Sequence, residues 1–343
     1  MSVETMEWLN QNILVGFEDK RGKAWHYKAS AQGAEPNHYA GAVPIEDIMR
    51  RIFNFQLVEG QITATAMGPD GVIVTHDPDR KAIMHSGTGD ILGVFKGGYQ
   101  IHQYEEWLLN QVADLLDDTL QIGSAGILAR GGVAWVSVEV PDNIVTPSGI
   151  AFRPHLLAAT SADGSLSTTY QRVVTNVVCD NTMSAALGEK GQRIKVRHSK
   201  YSHLKLADAR EALAIVHSIG DDFAAQVEQL TNIDVSSLAF DRFLDALVPT
   251  ADAKGTAKTG RGLTLAQNKQ AKLRDMYEND NRVAPWAGTA WGVVQLVNTF
   301  EHHASTVKGA TRADRNQLRA VKGETAKNDG ETLGILTEVL AAA

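Results

Sequence analysis

The period of hydrophobic and polar positions changes several times along this chain, and each change predicts a different element. After a polar lead, Pro44 opens the run PIEDIMRRIF with Glu46 and Asp47 early in it, where a helix macrodipole favours acids. From Asn54 to about Gln103 the chain reads as short strands: QITATAM, GVIVTH, RKAIMHS and ILGVFKGGYQIH. Pro69-Asp70-Gly71 and Gly97-Gly98 punctuate them. Residues 103–118 return to helical spacing, with Leu108, Val112 and Leu115 on one face and Glu105, Glu106, Asp114 and Asp117 elsewhere. Four more strands are predicted in LQIGSAGIL, GVAWVSVEV, IAFRPHLLAAT and SLSTTYQRVVTNVV, with turns at Gly131-Gly132, Pro147-Ser148-Gly149 and Ser161-Ala162-Asp163-Gly164. Neither face of the last strand is wholly apolar, so one face or edge of it should meet something polar.

Beyond Lys205 the pattern is helical. Ala209, Leu213, Val216, Gly220, Phe223, Val227 and Leu230 recur at spacings of four and three, a seam that serves core packing more often than a coiled coil. Helices near 235–247, 262–279 and 285–303 follow, and a final short one starts at Glu331. The run TADAKGTAKTGRG between them reads as a low-complexity loop. The expected architecture is α+β: a mostly antiparallel β-sheet core with a crossing helix, then an α-helical C-terminal half. The expected division is a β-rich unit over residues 1–205 and a helical one over 206–343, with a mobile basic loop near 250–262.

Composition removes several classes. The 343 residues are 43% hydrophobic and 21% charged, ordinary for a globular protein. Cys179 is the only cysteine, so no intrachain disulfide or cysteine-based zinc site can form. No run of about 18 apolar residues occurs, and the N-terminus has no signal-peptide pattern, so the expected setting is cytoplasmic, away from membranes. No P-loop, G-x-S-x-G, H-E-x-x-H or zinc-deaminase signature is present.

Charge changes the picture. The net charge is -7, but residues 190–210 hold Lys190, Arg193, Lys195, Arg197, Lys200, Lys205 and Arg210 against Asp208 alone. Residues 254–274 hold Lys254, Lys258, Arg261, Lys269, Lys272 and Arg274 with no acid, so each tract carries +6 and the remainder -19. Such segregation points to a polyanionic partner; two solvated faces, or contacts with acidic protein surface, are the bland reading. In RIKVRHSKYSHLK, the cations Arg193, Lys195 and Arg197 share one face of an extended segment, repeating at about 6.8 Å, a spacing suited to successive phosphates. Tyr201 lies in the tract, and Trp25, Tyr27, Tyr99, Trp135 and Tyr170 are candidates for base stacking, although Trp135 among valines reads as core.

Just before this tract, Asp180, Asn181 and Thr182 are N-cap residue types ahead of MSAAL, predicting a capped helix whose N-terminus could hold a phosphate. Cys179 after Val177-Val178 reads as a small buried hydrophobe rather than a nucleophile with His155 and Asp180. His76-Asp77-Pro78-Asp79 is the best carboxylate-histidine group for magnesium, but it also suits a tight turn.

In order along the chain, Lys23-Ala24-Trp25-His26, the segment from Ile91 to Trp107, the strand from Gly131 to Val138, the Ser161–Ser165 turn and Arg172-Val173-Val174…Cys179-Asp180-Asn181-Thr182 resemble landmarks of a family of phage- and plasmid-borne proteins known only as a domain of unknown function. Asp180 stands where that family would have Asn. The resemblance spans roughly residues 20–300 and implies a mobile-element origin in a bacterial host, with no known enzymology. By architecture and charge the chain is also compatible with the phage single-strand annealing recombinases. The expected function is ATP-independent binding or annealing of single-stranded DNA in recombination or replication, as a homo-oligomer without a cofactor. The expected contacts are Arg172, Arg193, Lys195, Arg197, Lys200, Tyr201, Lys205, Lys269 and Lys272. The alternatives are a metal-dependent enzyme on nucleotides or nucleic acid, using Asp77 and Asp79 with a histidine to hold magnesium or manganese, and a phage host-interaction protein.

Overall fold

The computed structural model describes residues 5–24, 27–113, 116, 120–140, 142–176, 181–184, 193–199, 202, 216–252, 256–308 and 312–342, with backbone alone for 172, 174–176, 181–184, 193–194, 216–222, 313–314 and 326. Within them the fold is α+β, a mostly antiparallel sheet followed by a helical C-terminal half.

Helix α1 (Met6–Asn12) is capped by the Thr5 side chain, which accepts from the Trp8 amide, and leads into strand β1 (Ile13–Val15). Two short helices follow, α2 (Glu18–Arg21) and α3 (Ile45–Arg51), the latter beginning after Pro44 with Glu46 and Asp47 in its first turn. The sheet that carries the core is built from β1, β5 (Gln121–Leu128), β6 (Val133–Glu139), β8 (Ala151–Ser161), β9 (Thr168–Asn176) and β10 (Asn181–Ser184) in that order. Strand β7 (Ile144–Val145) pairs with β8, and β11 (Arg193–Val196) with β9, all antiparallel. A second sheet joins β2 (Leu57–Gly68), β3 (Gly71–His85) and β4 (Ile91–Lys96) in sequence order.

Period-two alternation gives the main sheet two covered faces. Val136, Val138, Leu156, Ala158 and Tyr170 lie in the larger core, under the crossing segment. That segment is a π-helical turn (Glu105–Leu109) running into α4 (Asn110–Ala113); it buries Trp107 and Leu108, and its Trp107 carbonyl accepts from the Tyr170 hydroxyl at 2.6 Å. Trp135, Leu157, Ala159 and Val173 form the other core with Leu9 and Ile13. Gly126, opposite Trp135, leaves room for that ring: a Cβ there would sit 2.3 Å from it.

The helical half comprises α5 (Val216–Thr231), α6 (Ser237–Leu247), α7 (Gly260–Asn279), α8 (Ala290–Thr299), α9 (Arg312–Lys322) and α10 (Glu324–Ala341). On α5, the seam residues Phe223 and Val227 are buried, with Phe223 against Phe152 of β8, so these positions serve core packing. One hydrophobic cluster runs from Leu14 and Trp107 to Phe243, Trp291 and Leu336, joining sheet and helices.

Four local expectations are corrected. GVIVTH and RKAIMHS are one strand, β3, interrupted by a bulge: Ile62 pairs with Asp77 but Gln61 with Lys81, so Pro78, Asp79 and Arg80 are extra residues rather than a turn between strands. The C-terminal tail holds two helices instead of one, separated at Gly323, whose φ of 73° few other residues adopt cheaply. The charged α9 forms because Val321 and Leu318 close the Trp135 face of the sheet. Within TADAKGTAKTGRG, Ala251 and Ala257 form a bridge flanked by hydrogen bonds between the 250–252 and 256–258 backbones, and α7 already starts at Gly260. The fourth correction falls at the candidate site.

Candidate nucleic-acid interface

The expected capped helix around Asn181–Leu187 does not start where its residue types place it. Asn181–Ser184 is β10, folded back on β9 with Asn181 opposite Asn176 and Thr182 opposite Thr175. A free antiparallel edge offers ladder partners to Thr182 and Met183, and that tertiary gain outweighs local cap preference. The anion site at a helix N-terminus therefore lapses. Residues 177–180, including Cys179, lie outside the described residues.

The basic tract begins as the strand its alternation predicts. β11 pairs with the first half of β9, placing Arg193 opposite Gln171 and Lys195 opposite Thr169. Val196 is buried, whereas Lys195 and Arg197 are exposed. No carboxylate pairs with either among the described residues. Arg172 is in register with Leu156, one position along β9 from the residue facing Arg193. The side chains of Arg172 and Arg193, and all of Lys200, Tyr201 and Lys205, lie outside the described residues.

Lys269 and Lys272 have other occupations. On α7, Lys269 stands 4.9 Å over the Phe300 ring and 3.9 Å from Glu301 Oε1, and Lys272 pairs with Asp275 at 2.9 Å. That helix packs on α8 and on the turn at Ala284–Trp286, whereas β11 packs on β9.

The sequence did not disclose what β11 runs into. His198, immediately after Arg197, is bolted to the loop leaving β4: its Nδ1 donates to the Gln100 carbonyl at 3.1 Å, and the Gln100 amide donates to the His198 carbonyl at 3.4 Å. Its ring joins a column of five stacked rings. Phe95 and Tyr99 lie 3.9 Å apart, Tyr99 and His198 4.8 Å, His198 and His102 3.9 Å, and His102 and Trp107 3.7 Å. Trp107 is the buried end, and Phe95 and Tyr99 are the half-exposed end. Because a carbonyl can only accept, the His198 Nδ1 carries the proton and its Nε2 accepts from Thr160 Oγ1 at 3.3 Å. Thr168 Oγ1 then donates to Thr160 Oγ1 at 2.7 Å and accepts from His102 Nδ1 at 2.5 Å, a chain directed from one imidazole to the other.

Two further cations lie on the strands that lead to this column. Lys96 ends β4, three residues before Tyr99, and is exposed without a carboxylate partner among the described residues. Directly across the ladder is Arg80, exposed and only 4.0 Å from Asp77. Like charges opposite each other in a sheet are destabilising, so this pair favours an anion above it. The remaining aromatic candidates are placed elsewhere: Trp135 and Tyr170 are buried, Tyr27 packs edge-on against His38 with Lys23 over its ring, and Trp25 lies outside the described residues. Lys96, Arg80 and Phe95 were missed because only the hydrogen bonds between Gln100 and His198 tie the loop after β4 to the end of β11; the one hint was Tyr99 after Gly97-Gly98.

At the alternative site, His76 Nδ1 is 2.9 Å from Thr63 Oγ1, and Asp77 accepts from the Asp79 amide at 2.9 Å within the bulge. No group of three His, Cys, Asp or Glu residues suited to a metal ion occurs among the described residues. Nor is any described helix long and apolar enough to cross a membrane.

Burial pushes His198, His155 and His302 each down to about 4 from the ordinary 6.5. Between those values the unfolded chain binds more protons than the folded one, so stability from these groups is complete above about pH 6.5 and is lost as pH falls towards 4. Thermal melts followed by tryptophan fluorescence should show midpoints falling steadily from pH 7 to 4.5. A flat midpoint over that range would contradict the buried neutral imidazoles.

A protein-family model described as Domain of unknown function (DUF932) matches residues 91–326, which takes in β4, the stacked rings, β11 and most of the helical half. No curated protein and no solved structure matches the chain.

Proposed function

On the premise that the chain belongs to the DUF932 family, whose description assigns no activity, we propose that it binds single-stranded nucleic acid without sequence preference at the β4–β11 corner. One observation carries this reading: Lys96 follows Phe95 on β4, and Lys195 and Arg197 lead β11 into His198. All three cations are exposed with no carboxylate partner among the described residues, and Phe95 and Tyr99 are the half-exposed end of the ring column. Exposed cations neutralise phosphates, and an aromatic face accepts any base, which together make a sequence-tolerant single-strand site. Elsewhere on the surface, cations such as Arg50, Lys81 and Arg274 are paired with acids, so they offer a polyanion little.

The fuller form of the proposal is a phage- or plasmid-derived protein that anneals single-stranded DNA in a bacterial cytoplasm, as a homo-oligomer and without ATP or metal. Fluorescence anisotropy of a labelled oligothymidylate, titrated across a salt series without divalent metal, tests it. Affinity should fall linearly on a log–log plot, with a slope of about 0.7 per phosphate contacted, and a duplex of equal length should bind more weakly. Absence of binding at 20–50 mM salt, roughly the regime where such contacts are strongest, would end the proposal.

A further inference from the structure

We infer that the β2–β3 ribbon is a dimerisation arm, whose outer β2 edge pairs antiparallel with the same edge of a second copy of this chain. β4 joins β3 only between Arg80 and Met84, so beyond the bulge residues 62–77 pair with each other alone. This distal ribbon is open on both faces: Met67 is 81% exposed, Val72 62%, Ile73 54% and Val74 57%. A two-stranded ribbon with apolar side chains in water is marginal by itself, whereas three or more strands are self-supporting. Among the described residues nothing hydrogen-bonds to the β2 edge beyond Leu57, whose backbone is held by the Gln103 side chain. Free edges are ordinarily guarded by lysine, proline or short length. β2 is twelve residues long, and between Glu59 and Pro69 it has no charge and no proline.

The chemistry of the arm selects the occupant. From Gly60 to Asp79 there is no lysine or arginine, so the arm is unsuited to nucleic acid and calls for an uncharged, strand-forming partner. The sequence Ile62-Thr63-Ala64-Thr65-Ala66 is complementary to itself when reversed. With Ala64 on a two-fold axis, Thr63 faces Thr65 of the second copy, Ile62 faces Ala66, and Ala64 faces Ala64. Threonines opposite threonines and large opposite small residues are favourable cross-strand pairs. A two-fold contact uses one patch twice, and here it turns two marginal ribbons into one four-stranded antiparallel sheet. This inference deepens the oligomer of the proposed function and is independent of its nucleic-acid part.

Disulfide trapping without oligonucleotide tests the arm alone. In a Cys179→Ala background, Ala64→Cys places two cysteines opposite each other with Cα atoms about 4.5–5.5 Å apart, as in paired strands, which a disulfide can span. Met67→Cys, more exposed, would be held from its twin by six residues of strand, roughly 20 Å. Mild oxidation should convert most of A64C to a covalent dimer and little of M67C. Without introduced cysteines and under reducing conditions, light scattering should give a dimer for the unmodified chain and a monomer for Thr65→Lys, with unchanged circular dichroism. A monomeric unmodified chain, or M67C trapping as readily as A64C, would overturn the arm. Failure of DNA binding with A64C trapping intact would overturn only the interface at β11.

Discussion

Replacing Lys96, Lys195 and Arg197 together by alanine should weaken oligothymidylate binding about a hundredfold at 0.1 M salt and reduce the salt slope by about 2. Each phosphate contact on a single strand releases roughly 0.7 of a counterion, hence about 0.7 decades of affinity at 0.1 M relative to 1 M, and three contacts supply both figures. The paired control is Lys269→Ala with Lys272→Ala. These two look equivalent in the sequence, but they are committed to Glu301 and Phe300 and to Asp275. Their loss should change affinity less than threefold, on the order of a few tenths of a kcal/mol for exposed paired charges. Equal losses from both sets would mean that net charge, rather than the corner at β11, governs binding. Anisotropy titrations at four salt concentrations separate the outcomes, because only a change of slope reports lost phosphate contacts.

That contrast marks how far the residues could be read in isolation. Apolar runs bounded by turn signals found β5, β6, β8 and β9, which are covered on both faces, and alternation found β11 because Ile194 and Val196 alternate with Arg193, Lys195 and Arg197. Asn181–Ser184 misled because cap chemistry is local, while the edge of β9 that recruits those residues is supplied by tertiary structure. α9 escaped notice for a related reason: two apolar residues, Leu318 and Val321, suffice when a sheet face awaits them. The aromatic column was out of reach, since Tyr99 and His198 are adjacent only through the Gln100–His198 hydrogen bonds across 98 positions of chain.

Stability should depend heavily on one ion pair that no motif announces. Arg21→Ala is expected to cost about 3–5 kcal/mol at pH 7, the usual penalty for removing one partner of a buried pair. Arg21, the last residue of α2, donates from Nε to the Gly16 carbonyl at 2.7 Å and from Nη2 to the Gly123 carbonyl at 2.6 Å, with Nη1 2.9 Å from Glu139 Oε1. Glu139 is 4% exposed and lies opposite His155 in the β6–β8 ladder. Burial raises the Glu139 carboxyl above its ordinary value, and the charges of Arg21 and then Arg153 oppose that rise. A folded acid with a raised pKa contributes its full stability below the ordinary value near 4.5 and loses it as pH climbs through the folded one. Without Arg21 the carboxyl rises further, so the deficit of the variant relative to the parent should be larger at pH 7 than at pH 5. Taking the difference at each pH cancels the protonation of His198 and His302; besides burial, the Arg21 charge also holds His155 and His38 down, so the comparison with Glu139→Gln isolates the carboxyl. Adding Glu139→Gln to Arg21→Ala removes the stranded charge and should recover part of the loss at pH 7 but little at pH 5. Urea midpoints of the three proteins at the two pH values decide the matter: a deficit under about 1 kcal/mol, or one equal at both pH values, would show that Glu139 does not depend on Arg21.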